Sequence, residues 1–167
     1  CNVCSFVCPH AVIRPVLLTE EELKNAPEGY VAKPATGKPG MFYHMAISAM
    51  DCTGCGVCAQ ACIAKEKALE MKGFAEGKEK FLADWDFDKD VEYKEISEKE
   101  KATVKGSQFL QPLLEFHGAC AGCGETAYAT LVTQLYGDRM MISNSAGCST
   151  VWAGAAPAIS YAKNKKG

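Results

Sequence analysis

The stretch Cys52-Thr53-Gly54-Cys55-Gly56-Val57-Cys58-Ala59-Gln60-Ala61-Cys62 decides how this chain is read. Its spacing is C-x2-C-x2-C-x3-C. A second stretch, Cys1-Asn2-Val3-Cys4-Ser5-Phe6-Val7-Cys8-Pro9, repeats it without the head. Cys1, Cys4 and Cys8 align with Cys55, Cys58 and Cys62, each pair 54 positions apart. The counterpart of Cys52 falls three positions before Cys1, so a further cysteine is expected upstream. A third group, Cys120-Ala121-Gly122-Cys123, is followed by Cys148. These groups account for all 10 cysteines of the 167 residues.

Disulfides, zinc and iron–sulfur clusters compete to explain so many cysteines. The chain opens on Cys1 with neither a basic region nor an apolar one, so no secretion signal is expected and disulfides are disfavoured. Zinc sites use separated C-x2-C pairs, which three closely spaced cysteines and a fourth fit poorly. The full run matches the bacterial ferredoxin pattern, in which three thiolates hold one cluster and the fourth serves a neighbour. Three thiolates on one tight loop cap a face of a cubane, and Gly54 and Gly56 let the backbone wrap with positive φ. Crossed ligation then groups Cys8 with Cys52, Cys55 and Cys58. It groups Cys1 and Cys4 with Cys62 and the missing cysteine. Cys120, Cys123 and Cys148 remain. Their C-x2-C pair suits zinc or redox sites equally, and three leftover cysteines suggest a third cluster with a ligand elsewhere.

Composition narrows the class. There are 18 basic and 20 acidic residues, a net charge of -2, and 48% hydrophobic residues. This is an ordinary globular mixture with no basic excess for nucleic acid and no polybasic cluster for a membrane surface. No apolar run approaches the ~18 residues of a membrane span. At roughly 150 residues per domain, the length allows one domain or two small ones.

A short helix is expected after each cysteine run. Thr19 and Glu22 form a capping box. Residues 26–40, rich in Pro and Gly, read as an irregular insertion, and Tyr43–Ser48 as a strand. Residues 65–105, rich in Lys, Glu and Asp, read as a solvated linker or surface helix, which puts a boundary near residue 100. Glu125–Tyr136 is predicted as an amphipathic helix with an apolar stripe of Ala129, Leu131, Val132 and Leu135, stopped by Gly137. Met140-Met141-Ile142 reads as a short buried strand, and residues 143–156 as a small-residue loop. His10, His44 and His117 read as packing or surface residues, and Trp85 and Trp152 as core or interface aromatics. Met140 and Met141 read as core filler. Asp51 reads as a turn former, and Glu125, by position alone, as a first-turn residue meeting the helix dipole.

Several stretches together are specific. They are Cys4-Ser5-Phe6-Val7-Cys8-Pro9-His10, Asp51-Cys52-Thr53-Gly54-Cys55-Gly56 and Ala64-Lys65-Glu66-Lys67-Ala68-Leu69. Gly106-Ser107-Gln108-Phe109, Gly118-Ala119-Cys120-Ala121-Gly122-Cys123-Gly124-Glu125-Thr126 and Gly147-Cys148-Ser149 complete the set. In this order and spacing the chain resembles the pyruvate:ferredoxin (flavodoxin) oxidoreductases, of which it would be an internal piece.

The resemblance implies an α+β fold. Residues 1–100 would be a ferredoxin-like domain with two [4Fe-4S] clusters and an insertion. Residues 101–167 would open an α/β domain that binds thiamine diphosphate. The metal ligands implied are Cys1, Cys4, Cys62, Cys8, Cys52, Cys55, Cys58, Cys120, Cys123 and Cys148, the last three serving the cluster nearest the thiamine. Glu125 and Cys148 match positions lining thiamine diphosphate. No catalytic residue is expected in the chain, and on its own it should be inactive. The parent enzyme is expected to oxidise pyruvate with coenzyme A to acetyl-CoA and CO2, passing electrons through three clusters to ferredoxin or flavodoxin. It is expected to be a cytoplasmic homodimer, with no nucleic-acid or membrane partner. A free-standing ferredoxin-type carrier is the alternative. Three departures stand out. Ile63 replaces the usual Pro after the second run. Gly137-Asp138-Arg139 is not the family's Mg²⁺–diphosphate motif. His117 stands where members often have a small polar residue.

Overall fold

The computed structural model describes residues 1–164 except 156 and 158. Each cysteine run contains one helical turn, α1 (Val3–Phe6) and α3 (Val57–Gln60). The turns surround Cys4 and Cys58 instead of following the runs as expected. After Cys8 the chain turns through Ala11, at φ 55, straight into β1 (Ile13–Thr19). Thr19 caps α2 (Glu20–Leu23) with the predicted box: Glu22 N–H donates to Thr19 Oγ1 at 3.2 Å, and Thr19 N–H donates to Glu22 Oε2 at 2.8 Å. β2 (Lys33–Pro34) is the one pairing segment of the insertion among the described residues, and β3 (Met41–Ile47) is the expected strand.

These strands form an antiparallel sheet in the order β1-β3-β2, with Ile13 opposite Ile47 and Leu17 opposite Tyr43. Alternation along the strands gives two faces. On one, Leu17, Ile96 and Phe109 pack with Met41 and Tyr43, while Cys8, Val12 and Ile13 pack with Met45, Cys4 and Cys58. One face of the sheet thus reaches the cysteine runs. On the other lies α4 (Lys78–Asp88). Here the Arg14 guanidinium sits 5.0 Å from the ring centroids of both Trp85 and Phe116 and pairs with Glu115.

The buried residues of α4 are carboxylates, Asp84 and Asp88. Asp84 is met by Lys80 at 2.9 Å. Asp88 accepts from Tyr30 Oη at 2.5 Å and lies 3.4 Å from His44 Nε2. Burial pushes the Asp88 carboxyl up from 3.8 to about 6, against the Tyr30 hydrogen bond and His44. The folded chain therefore holds this proton more tightly than the unfolded chain does. Stability is greatest below pH ~4 as far as this group is concerned, and falls as pH rises through about 6, by roughly 2–3 kcal/mol in all. Asn at position 88 keeps the acceptor for Tyr30 without the charge. The melting temperature of Asp88→Asn, measured against wild type, is thus expected to rise between pH 4.5 and 7.5. A difference that does not change with pH would refute this.

The acidic–basic stretch 92–105 is tied down rather than wholly solvated. Lys94 pairs with Glu22 at 2.6 Å, Lys38 with Glu100 at 2.8 Å, and Ile96 is buried. Ser97 and Glu100 form a second capping box on α5 (Glu98–Lys101), and Thr103 caps α6 (Val104–Ser107). The chain then packs back onto the first run. Asn2 Nδ2 donates to the Lys105 carbonyl at 2.8 Å, Tyr43 Oη to Asn2 Oδ1 at 3.0 Å, and Ser5 Oγ to Gln108 Oε1 at 2.9 Å.

The predicted amphipathic helix is α7 (Thr126–Tyr136), but its buried face is Thr126, Thr130 and Thr133, while Val132 is exposed. Thr133 Oγ1 accepts from Leu113 N–H at 3.1 Å and donates to the Thr130 carbonyl at 2.7 Å, which satisfies Thr133, while the Thr126 hydroxyl is buried without a hydrogen-bond partner among the described residues. Gly137 does not stop the helix by a left-handed cap. It has φ -57 and continues into a 3-10 turn, Gly137–Arg139. A Cβ there would lie 2.7 Å from Leu113 Cδ1, the end of a side chain that would have to shift. The expected strand at 140–142 does not form. Met141 is fully exposed and Met140 only partly buried, so Met141 fills no core, and Ile142 is exposed as well. No strand lies beside them among the described residues to take up their backbone hydrogen bonds. Of the small-residue loop, α8 (Cys148–Ala153) is helical and Ala156 lies outside the described residues.

Candidate iron–sulfur sites

Gly54 and Gly56 take φ 68 and φ 75, as the tight loop requires. The loop folds over the end of the first run. Cys8, Cys52, Cys55 and Cys58, which come from both runs, line one cavity whose other walls include Val12, Ile13 and Met71. Burial raises the Cys8 thiol, opposed by the N–H groups of Val12, His10 and Ile13, with the Cys55 sulfur adding a smaller rise. Burial also raises Cys58, and the sulfurs of Cys8, Cys52 and Cys55 add to it. Burial and the neighbouring sulfurs keep Cys8 and Cys58 as thiols unless a cationic occupant is bound, and the surrounding N–H groups are placed to bond to sulfur. Among the described residues, no three His, Cys, Asp or Glu side chains come close enough to share one metal ion. The four cysteines line one cavity instead, and their C-x2-C-x2-C spacing with Cys8 fits a cluster of several atoms better than a single zinc ion.

Cys4 is also raised, by burial first, with the sulfurs of Cys58 and Cys62 close enough to contribute. Cys62 is lowered, chiefly by the N–H of Ala68, 3.4 Å from Sγ, then by that of Ala64 and by Lys67. Lys67 Nζ also bonds the Cys62 carbonyl at 2.7 Å. Cys4 and Cys62 are thus together, one from each run, while Cys1 is exposed at the edge.

In the third group Cys123 N–H donates to the Cys120 carbonyl at 3.0 Å. Burial raises the Cys123 thiol, but the N–H groups of Thr126 and Glu125 outweigh it and hold it below its ordinary value. Cys148 opens α8, one turn before Trp152, and Trp152 packs in a cluster with Leu114, Ala153 and Ala119. Cys120 and Cys148 are exposed. Glu125 is the exposed residue just before α7. The third loop also touches the second run. Gly122, at φ +74, is so placed that a Cβ would lie 3.8 Å from Cys55 Cβ.

Sequence reasoning missed Asn2, Tyr43, Gln108 and the backbone donors at 10–13. Asn2, at φ 58, carried a weak signal as an Asn between two cysteines, and Gln108 lay in one of the quoted stretches with no role assigned to it.

Residues 1–66 match the family model of the 4Fe-4S dicluster domain, so the cysteine-rich part is a ferredoxin-like, two-cluster iron–sulfur domain. Over its whole length the chain is 54% identical to a pyruvate-flavodoxin oxidoreductase of Enterobacter agglomerans and 52% identical to a pyruvate:ferredoxin oxidoreductase of Moorella thermoacetica, covering 14% of each. It is 47% identical to a pyruvate dehydrogenase [NADP(+)] of Cryptosporidium parvum, covering 9% of it. The chain thus corresponds to a small stretch of these oxidoreductases rather than to a free ferredoxin. No helix among the described residues is long and apolar enough to cross a membrane.

Proposed function

We propose that the chain is the electron-transfer section of a pyruvate:ferredoxin or pyruvate:flavodoxin oxidoreductase. The observation that carries this reading is the cavity ringed by Cys8, Cys52, Cys55 and Cys58 from two separate runs. In this reading those four residues hold one [4Fe-4S] cluster. Cys1, Cys4 and Cys62 contribute to a second, and Cys120, Cys123 and Cys148 to a third. Bound cubanes supply one-electron storage at potentials set by charge, solvent and hydrogen bonds to sulfur. The chain's part is to supply thiolates, exclude water with Val12 and Ile13, and point N–H groups at the sulfurs.

The whole enzyme would oxidise pyruvate with coenzyme A to acetyl-CoA and CO2 and reduce ferredoxin or flavodoxin. It would act in the cytoplasm as a homodimer. Residues 1–100 would be its dicluster domain and residues 101–167 would begin its thiamine diphosphate domain. The exposure of Glu125 and Cys148 leaves both open to that cofactor. The test is anaerobic assay of the purified full-length protein. Reduction of ferredoxin or flavodoxin dependent on both pyruvate and coenzyme A is expected. Clusters that are reduced by dithionite but never by pyruvate would overturn the reading.

A further inference from the structure

His117 joins two segments that each adjoin a cysteine group. Its Nε2 donates to the Pro9 carbonyl at 2.6 Å, next to Cys8. Its Nδ1 accepts the N–H of Ala119 at 3.3 Å, next to Cys120. Donation at one nitrogen and acceptance at the other define a neutral ring in a single tautomer. Two more bonds run alongside: Phe116 N–H donates to the His10 carbonyl at 3.2 Å, and His10 Nδ1 donates to the His117 carbonyl at 3.2 Å. The His117 ring lies 4.9 Å from that of His10 and 5.5 Å from that of Trp152, the residue one helical turn after Cys148. Both histidines are buried. One side chain therefore reaches the neighbourhoods of Cys8, Cys120 and Cys148. At a second point the third loop rests on the second run through Gly122 and Cys55.

We infer that His117 is a positioning residue. It sets the separation between the cluster site of Cys8, Cys52, Cys55 and Cys58 and the site of Cys120, Cys123 and Cys148, and with it the rate at which electrons pass between them. This rests on the functional reading above. The step itself moves one electron: one cluster is oxidised as the other is reduced, with no bond or proton exchanged. Its rate depends steeply on distance, so a clamp of two hydrogen bonds from one rigid ring is suited to hold it. Without that ring, the packing of Ala119 on Leu114 and Trp152 and the contact at Gly122 would remain, with no side-chain bond from His117 to Pro9.

The test uses the full-length protein, fully reduced with dithionite, in two variants. His117→Phe keeps the ring and removes both hydrogen bonds. His117→Gln keeps a donor for Pro9 and lacks the ring acceptor for Ala119. Iron and sulfide content are measured first. Electron paramagnetic resonance then reads the magnetic interaction between reduced clusters, which depends on their separation and orientation. Wild-type iron content is expected in both variants. The interaction splitting should be altered or lost in Phe and changed to an intermediate degree in Gln. Pyruvate-dependent acceptor reduction should slow severalfold in Phe. Either variant with full iron content and wild-type splitting overturns the inference, so Gln decides alone if Phe does not accumulate. Wild-type protein without clusters would instead refute the functional reading.

Discussion

Cys8→Ala is expected to abolish the cluster at its cavity, whereas Cys52→Ala should leave a cluster there in altered form. The two residues are chemically equal members of one ring of sulfurs, but their surroundings differ. Cys8 is buried with Val12 and Ile13, and Cys52 is exposed. When the exposed ligand is removed, solvent can take its place on one iron or that iron can leave, giving a three-iron or oxygen-ligated centre. At position 8 no water reaches the vacated side, and alanine leaves a bare iron against apolar carbon. The protein itself should tolerate Cys8→Ala, because a free buried cysteine packs as a small hydrophobe. Iron and labile-sulfide analysis of both variants, with their electron paramagnetic resonance spectra, checks this. Full iron content in Cys8→Ala would refute the assignment of Cys8 as a ligand. Equal losses in the two variants would refute the role given to solvent.

Gly106→Ala should destabilise the fold by about 3 kcal/mol or more, beyond the common range for overpacking. Helix propensity alone has the opposite sign, since Ala is favoured over Gly inside a helix by ~1 kcal/mol. Geometry overrides it. A Cβ on Gly106 would fall 2.1 Å from the Glu100 carbonyl oxygen and 2.5 Å from its carbon. Both are backbone atoms, so no rotamer change relieves the clash, and α5 must move off α6. The Asn2–Lys105 and Ser5–Gln108 bonds start from this stretch, so the first cysteine run would loosen with it. Urea or thermal denaturation measures the loss. A variant as stable as wild type would show that α5 and α6 are free to separate.

What could be read in the sequence was local. The two cysteine runs, the positive φ of Gly54 and Gly56, the Thr19–Glu22 box and strand β3 each depend on residues within a few positions of one another. β1 was hidden by Pro15, which argues against a strand. It is accommodated because β1 lies at an edge of the sheet. Asp84 and Asp88 looked like solvated charges, yet Asp88 is buried because Tyr30, 58 positions away, donates to it. Met140–Ile142 looked like a buried strand because three apolar residues in a row suit one, but burial requires a neighbour to pack on. The apolar stripe of α7 had the right period on the wrong face: Thr130 and Thr133 are buried there because carbonyls and N–H groups of 113–130 meet their hydroxyls. At the site, cysteine spacing grouped Cys8 with Cys52, Cys55 and Cys58, and these four line one cavity. The supports Gln108 and His117 were illegible for the same reason as Asp88, their partners being more than 100 positions away.

The bonds joining residues 5–14 to residues 108–117 span 101–108 positions of sequence. During synthesis at ~5–20 residues per second, the first run would leave the ribosome about 5–20 s before the segment that seals it. For that interval Cys4 and Cys8 are open to oxygen and to stray metal ions. Cluster loading that precedes closure would act on an unshielded loop; loading that follows it would have to enter through the Cys52 side, where the ring of sulfurs stays open to solvent.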